Sequence, residues 1–200
     1  MIQPIVLAAG FGTRMGGNKA LLPIGDVPAL TVVLSMIEAA GLSSPIIVLG
    51  HNAEAVKAAV DLEQARVVIN LHPQGGISRS LALALEAIQA DSTGILVFHV
   101  DMPFLAHSTV RAVVDAANRG AVLAAPVHGE TRGFPVYFAR DTLDALKASL
   151  QGDSGGRAFL RTRSTQLTRV LVDDPGCVFD IDSPSDLRTW KGEPLCAISE

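Results

Sequence analysis

A glycine-rich segment near the start of the chain contains two cationic side chains, Arg14 and Lys19. It follows an apolar run at residues 5–9, which predicts a buried strand. The glycines of the segment are Gly10, Gly12, Gly16 and Gly17. Glycine lets backbone N–H groups approach an anion closely, and the two cations add the charge that a polyphosphate requires. The segment therefore predicts a binding site for a triphosphate.

Two other phosphate-binding motifs fit this segment less well. A dinucleotide-binding loop has the spacing G-x-G-x-x-G, and here the third glycine, Gly16, comes one position later. A Walker A loop ends in G-K-S or G-K-T, whereas here Asn18 precedes Lys19 and Ala20 follows it. Both motifs fail at these positions, so a dehydrogenase is only a weak alternative. A plain glycine-rich turn would have no use for the two cations.

A second polar segment, residues 70–81, turns through glycines into a predicted helix. Gly75 lies in the turn, and Ser78 and Ser80 lie where the helix is expected to start. A helix start offers free backbone N–H groups, and the hydroxyls could contact a base or a ribose. The alternative is that one of the serines only caps the helix.

Two acidic positions are candidates for a magnesium site. Asp101 follows a predicted strand at residues 94–100, and Asp182 lies close to Asp180 near the end of the chain. Strand alternation would place Asp180 and Asp182 on one face, which leaves open which of them is the ligand. Magnesium takes few protein carboxylates and fills its other positions with water and phosphate oxygens. Alternatively, Asp101 and Asp182 cap the helices that follow them.

Strand-like and helix-like segments alternate along the chain and must position these groups. The predicted strands are 4–9, 45–49, 66–70, 94–100, 122–126, 134–139 and 167–172. The predicted helices are 30–37, 53–60, 80–90, 108–118, 140–150, 157–161 and 185–190. This alternation predicts an α/β fold with a mostly parallel sheet that is covered on both faces. We expect one domain at residues 1–192 and a tail at residues 193–200.

The composition argues against several classes of protein. The net charge of −4 is unfavourable for binding nucleic acid. The two cysteines, Cys177 and Cys196, lack the C-x-x-C spacing, which fits a reducing compartment without structural zinc. Met1 leads directly into the first predicted strand, and no apolar run is long enough to span a bilayer. We therefore expect a cytoplasmic protein without a signal peptide or a membrane partner.

Several blocks of the sequence resemble, in the same order, the nucleotidyltransferases of the molybdenum-cofactor type. The blocks lie at residues 7–22, 75–81, 101–103, 132–135, 152–157 and 180–187. The opening Leu7-Ala8-Ala9-Gly10 is most similar to the cytidylyltransferase branch of this family. Two positions depart from the family pattern: Met102 stands where that branch often has Gln, and Phe134 stands where the family often has His.

The resemblance implies a Rossmann-like, three-layer α/β/α nucleotidyltransferase fold. It implies Mg²⁺-dependent transfer of a nucleoside monophosphate, with CTP favoured as donor, to a phosphorylated acceptor such as the molybdopterin cofactor. A molybdoenzyme or its chaperone is the implied protein partner. The implied catalytic residues are Arg14, Lys19 and Asp101, and the implied metal ligands are Asp101 and Asp182. The implied nucleotide-binding residues are Leu7, Ala8, Ala9, Gly10, Gly12, Gly75, Ser78 and Ser80.

Two further hypotheses stay open at this stage. The enzyme could transfer the nucleotide to another phosphorylated acceptor, such as a sugar phosphate or phospholactate. Alternatively, the chain could bind a nucleotide as a sensor without catalysing a reaction. The two separate acidic positions, which could meet at one metal ion, argue mildly against a sensor.

Overall fold

Strands and helices alternate along residues 1–10 and 17–190, the part of the chain that the computed structural model describes. The strands are β1 (Ile2–Ala8), β2 (Pro23–Ile24), β3 (Val27–Pro28), β4 (Ile46–Leu49), β5 (Arg66–Ile69), β6 (Gly94–His99), β7 (Leu123–His128), β8 (Thr131–Arg132), β9 (Val136–Ala139) and β10 (Leu167–Leu171). The helices are α1 (Ala29–Ala39), α2 (Ala53–Ala59), α3 (Gly76–Glu86), α4 (His107–Asn118), α5 (Leu143–Ser149), α6 (Arg157–Thr162) and α7 (Pro184–Thr189). None of these helices is long and apolar enough to cross a bilayer.

The main sheet has the strand order β10-β7-β9-β6-β1-β4-β5, with β8 paired to β7. Strands β6, β1, β4 and β5 are parallel neighbours, and β10 is parallel to β7. Strand β9 is antiparallel to both of its neighbours, and β8 is antiparallel to β7. Strands β2 and β3 form a separate small hairpin sheet. The predicted mostly parallel sheet is therefore confirmed.

Both faces of the sheet are buried, because successive side chains of a strand point to opposite faces. Val6 and Ala8 of β1 belong to one core cluster, which contains residues of α1, α2 and α4. Ile5 and Leu7 belong to the other cluster, which contains residues of α3, α5 and α6. The chain therefore forms three layers, as predicted, and the strand ends are held between two packed layers of helices.

Two predicted elements differ in the structure. Helix α3 begins at Gly76, four positions before the predicted start at Ser80, because its first turn is fixed by contacts with residues 152–155. The strand alternation expected for Asp180 and Asp182 is wrong, since residues 179–182 have an irregular backbone. Three of the other predicted features, Gly12, Arg14 and the tail at residues 193–200, lie outside the described residues.

Candidate functional site

A cleft of about 800 Å³ opens where β1 and β6 end. These strands are parallel neighbours, and Leu7 pairs in register with His99. The residues that follow each strand therefore lie side by side, which brings Gly10 and Asp101 to the same edge of the sheet. The predicted residues Leu7, Ala8, Ala9 and Gly10 all line this cleft.

Lys19 joins the two predicted metal ligands in the cleft. Its Nζ donates to Asp101 Oδ2 at 2.9 Å and to Asp182 Oδ1 at 2.6 Å. Burial by itself would lower the pKa of Lys19, but the attraction of the two carboxylates outweighs burial and raises the pKa above its ordinary value. The ammonium therefore stays charged at physiological pH and offsets the repulsion between the two acids.

Local structure holds Lys19 in place. It begins a 3₁₀ turn at Lys19–Leu21, in which the Asn18 side chain accepts a hydrogen bond from Ala20 N at 2.9 Å. Ala20 is fully buried in the core beneath the turn. A short polar cap and a small buried residue thus fix the backbone on both sides of the lysine.

Asp182 reaches the site through backbone contacts with the Asp101 segment. Ile181 is fully buried, and its N–H donates to Asp101 O at 2.8 Å. Asp186 accepts from Asp182 N at 2.9 Å and from Ser183 N at 2.7 Å, and these N–H groups lower the pKa of Asp186. Ser183, rather than Asp182, is the N-cap of α7. The Asp182 carboxylate is therefore directed to Lys19 instead of capping the helix.

The segment that carries Asp182 and the segment that follows Asp101 also pack against each other at some distance from the two carboxylates. A Cβ added at Gly176 would collide with the carbonyl of Phe104, so only glycine fits at this contact. Phe104 also stacks on Trp190, with ring centroids 4.5 Å apart and an interplanar angle of 7°. Phe179 completes the cluster, with its ring centroid 4.9 Å from that of Trp190. The segment that carries Asp182 is thus packed against the segment that follows Asp101.

The donor set at this position is two carboxylates on separate segments. Within residues 1–10 and 17–190 no group of three His, Cys, Asp or Glu side chains gathers closely enough to hold a metal ion. A cation held by Asp101 and Asp182 would therefore take its other ligands from water and from substrate oxygens, which is the pattern typical of magnesium. Two carboxylates completed by water and substrate oxygens therefore fit the expected magnesium ion. Asp180, the other candidate ligand, lines the same cleft.

The start of α3 contributes a second wall of the cleft. Gly76 has a positive φ of 74°, and a Cβ there would lie 2.7 Å from Gly152 O. Ile77 N donates to Asp153 Oδ1 at 3.0 Å, so a side chain from the distant loop caps the helix. Gly76 lines the cleft, whereas the predicted Gly75 is outside the lining residues.

The two predicted serines of α3 have different positions. Ser78 is buried, donates to Gln151 O at 3.0 Å and accepts from Gly155 N at 3.1 Å. It fixes the 151–155 loop against the helix and is outside the lining residues. Ser80 lines the cleft, and its hydroxyl accepts from Asn70 Nδ2 at 3.0 Å.

Sequence reasoning assigned no individual role to several residues of the cleft. Arg132 lies at the end of β8, which pairs back onto β7, and Arg157 is the first residue of α6. A Cβ at Gly133 would collide with the Cys177 carbonyl, so the strand that carries Arg132 passes very close to this turn. The family-like blocks around Arg132 and Arg157 were the available signal, but their spacing alone gives no position in the fold.

His99 is a further cleft residue that the sequence did not single out. Its ring lies against Phe134, with centroids 4.2 Å apart, and its Nδ1 is 4.0 Å from Asp101 Oδ1. Burial lowers the pKa of His99 in spite of the nearby Asp101 carboxylate. His99 is therefore a neutral side chain at pH 7, and its position at the end of β6 was the only sequence signal.

This chain is similar to a known protein family and to a curated protein over most of its length. The model of the MobA-like NTP transferase domain matches residues 4–170. Nicotine blue oxidoreductase of Paenarthrobacter nicotinovorans is 31% identical over 189 residues, which cover 91% of this chain and 92% of that protein.

Solved structures with the same fold cover nearly the whole chain. The crystal structure of Rv0371c from Mycobacterium tuberculosis H37Rv has a TM-score of 0.82 and 31% identity, and it covers 94% of this chain and 95% of its own. A second structure of Rv0371c is a complex with manganese, with a TM-score of 0.80, 31% identity and coverage of 94% and 96%. A nucleotidyl transferase from Methanothermobacter thermautotroptrophicus has a TM-score of 0.80 and 25% identity, and it covers 94% of each chain.

Proposed function

The chain belongs to the MobA-like NTP transferase family, and we propose that it transfers a nucleoside monophosphate from an NTP to a phosphorylated acceptor, releasing pyrophosphate. The observation that carries this proposal is the meeting of Lys19 with Asp101 and Asp182, which lie 82 and 163 positions away in the sequence. The more specific proposal is CTP as donor and molybdopterin as acceptor. It rests on the opening block Leu7-Ala8-Ala9-Gly10.

The charge of the cleft supports a divalent cation as cofactor. Among the described lining residues the cations are Lys19, Arg132 and Arg157, and the acids are Asp101, Asp153, Asp180 and Asp182. These side chains do not neutralise a triphosphate, because the acids already outnumber the cations. The related Rv0371c was crystallised with manganese. We propose that Asp101 and Asp182 hold magnesium, which would neutralise phosphate charge when it is bound.

The reaction needs positioning and charge stabilisation more than proton transfer. An oxygen of the acceptor phosphate forms a bond to the α-phosphorus, and the bond from that phosphorus to the bridging β-phosphate oxygen breaks. A phosphate monoester has a second pKa of about 6, so the attacking oxygen is already deprotonated at pH 7. The neutral His99 is not required as a base. Lys19 supplies a fixed positive charge beside the acids, where negative charge develops on the phosphates.

The test is pyrophosphate release from each of the four common NTPs, with molybdopterin and simple phosphate monoesters as acceptors. The wild-type protein should release pyrophosphate only when NTP, acceptor and a divalent cation are all present. Asp101→Asn keeps the size of the side chain but should lower the rate by about 10²–10³-fold. Asp115→Asn, on the exposed side of α4, is the matched control and should keep the wild-type rate.

Three outcomes of this panel would contradict the proposal. An equal rate for Asp101→Asn at limiting metal would remove Asp101 from the site. Release with a sugar phosphate or phospholactate, but not with molybdopterin, would replace the acceptor. NTP binding without pyrophosphate release under any condition would favour a nucleotide sensor.

An oxidoreductase is the second candidate function. It is favoured by one observation, the relative named as an oxidoreductase whose sequence aligns over almost the full length of both chains. Oxidation of NADH or NADPH in the presence of a dye acceptor measures this activity in the same protein sample. Turnover of a nicotinamide nucleotide without pyrophosphate release would select this candidate over the transferase.

Two further parts of the proposal concern where the protein acts. We propose a molybdoenzyme or its chaperone as the partner that receives the product, since the acceptor would be a cofactor under synthesis. We also propose a cytoplasmic location, because the cysteine content of the sequence fits a reducing compartment.

A further inference from the structure

Two guanidinium groups line the same cleft without an acidic partner. Arg132 is half-buried, and its Nε atom is buried without a hydrogen-bond partner. Arg157 lines the cleft from the start of α6. Within the described part of the chain neither arginine forms an ion pair, although Lys19 in the same cleft forms two. The cleft therefore holds one buried guanidinium N–H without a partner, at Arg132, and an exposed second arginine at the start of α6.

The two arginines also repel each other. Burial lowers the pKa of Arg132, and the charge of Arg157 lowers it further. Arg132 is half-buried and Arg157 is exposed, and a bound anion would relieve the repulsion between their like charges. Such a pair is a ready site for phosphate, because planar guanidinium groups donate two parallel hydrogen bonds to phosphate oxygens.

The strand order places this pair on one side of the acids. Gly10 and Lys19, which are predicted to bind the triphosphate, follow β1 on the β1–β4–β5 side of β6. Arg132 comes from β8, which pairs with β7 on the other side of β6. Helix α6 packs over β9, with the rings of Phe159 and Phe138 6.2 Å apart. Asp101, at the end of β6, lies between the two groups.

We propose that Arg132 and Arg157 bind the phosphate monoester of the acceptor, on the side of Asp101 opposite to the triphosphate. This inference rests on the proposed function and adds the position of the second substrate. It agrees with the geometry of phosphoryl-group displacement, in which the attacking and leaving oxygens lie on opposite sides of the phosphorus. The arginines would hold the attacking phosphate while the triphosphate occupies the other side.

Binding measurements test the proposal without relying on turnover. Inorganic phosphate is titrated by calorimetry into wild-type protein saturated with CTP and Mg²⁺, and the titration is repeated without CTP. The variants Arg132→Met and Arg157→Met keep the aliphatic stem and remove the charge. We expect each to weaken phosphate binding about ten- to hundredfold and to leave CTP affinity unchanged. Arg132→Lys should have an intermediate effect, because lysine keeps the charge but loses Nε.

Matched controls separate a specific site from general attraction. Arg169→Met removes an exposed arginine on β10 and should leave phosphate affinity unchanged. Melting temperatures of all variants are compared, and Arg132→Lys carries the test if Arg132→Met does not fold. Pyrophosphate is the second probe, since it shares the phosphate oxygens. Its binding should compete with CTP and should not depend on Arg132.

Several results would overturn the inference. These are no phosphate binding by the wild type, equal losses in Arg169→Met, or a parallel loss of CTP affinity in Arg132→Met and Arg157→Met. A dependence of pyrophosphate binding, but not phosphate binding, on the arginines would assign them to the leaving group instead. A different result, in which the wild type neither binds CTP nor releases pyrophosphate, would contradict the proposed function but not the phosphate site. Arginine-dependent phosphate binding in the absence of CTP would then still stand.

Discussion

The two sides of the cleft are built in different ways. On the side of β1, β4 and β5, parallel strands alternate with helices, and the polar groups simply follow the strand ends. On the other side, β9 runs antiparallel to both β6 and β7, and β8 runs antiparallel to β7. Residues reach the cleft there through single close contacts, such as Gly133 against Cys177 and Gly176 against Phe104.

This difference shows which features of the fold fix the positions of the side chains in the cleft. The first side needs only a correct sheet, because strand register alone places Leu7 opposite His99 and so brings Gly10 near Asp101. The second side needs specific contacts, such as the hydrogen bond from Ile181 N to Asp101 O. We therefore expect substitutions at contacts of the second side to disturb the site and the stability together. Substitutions on the first side should change the activity of the site without a matching loss of stability.

The largest expected effect is the loss of turnover in Lys19→Ala, a change on the first side. We expect the protein to fold and the rate of pyrophosphate release to fall by about 10²–10³-fold. In the same variant, Mn²⁺ should bind more tightly in the absence of nucleotide, because the ammonium no longer competes for Asp101 and Asp182. Electron paramagnetic resonance of free Mn²⁺ measures the affinity.

The control for this prediction is Lys57→Ala, which removes an exposed lysine paired with Glu54 on α2. It should change neither turnover nor Mn²⁺ affinity, since a surface ion pair contributes about 0–1 kcal/mol. Full turnover in Lys19→Ala would refute the assignment of Lys19. Weaker Mn²⁺ binding would show that the lysine supports the metal site instead of competing with the metal.

Much of the fold could be predicted because it depends on local patterns. Apolar runs and helical periodicity give the strands and helices of the parallel half, and the near-continuous burial of β4 and β6 explains why they read as apolar runs. The start of α3 was missed because Asp153, from a loop that is distant in the sequence, caps the helix. A contact of this kind has no local signature.

The candidate site was predicted only in part. Asp101 follows a central strand, so its type and position point to function. Asp182 was placed on a strand that does not exist, and its contact with Lys19 was not predicted, because the sequence suggested only that the two acids could meet at one metal ion. Arg132 and His99 were missed, because their importance depends on β8 folding back and on burial, neither of which a single sequence displays.

Gly176→Ala should have the next largest effect and should sharpen the contrast between the two sides. A methyl group there would meet the Phe104 carbonyl, and the backbone would have to move, so we expect about 3 kcal/mol of destabilisation. Gly17→Ala, on the first side, has open space and should change the free energy of unfolding little. Urea denaturation measures both variants. Equal stabilities would show that the second side tolerates movement.

Trp190→Ala should have a smaller effect, because it removes the stacked ring from Phe104 without a backbone collision. We expect a loss of about 2 kcal/mol in stability and roughly tenfold weaker Mn²⁺ binding, since the Asp182 segment loses its support. Trp190→Phe should keep most of both, because the indole Nε1 is buried without a hydrogen-bond partner. Equal Mn²⁺ affinity in wild type and Trp190→Ala would show that the aromatic cluster does not position Asp182.

The smallest expected effect concerns the pH dependence of stability at Cys177, on the second side. Burial, with a lesser contribution from Asp174, raises the pKa of the Cys177 thiol to about 12. An unfolded cysteine titrates near pH 8.5, so the folded state holds the proton more tightly. Stability from this group is complete below about pH 8.5 and decreases as the pH rises towards 12. We expect the unfolding free energy of wild type to fall by about 0.7 kcal/mol more than that of Cys177→Ala between pH 8 and 9. If the unfolding free energies of wild type and Cys177→Ala change equally over this pH range, the turn at Pro175–Val178 opens to solvent. The contacts of the second side would then be looser than its close packing implies.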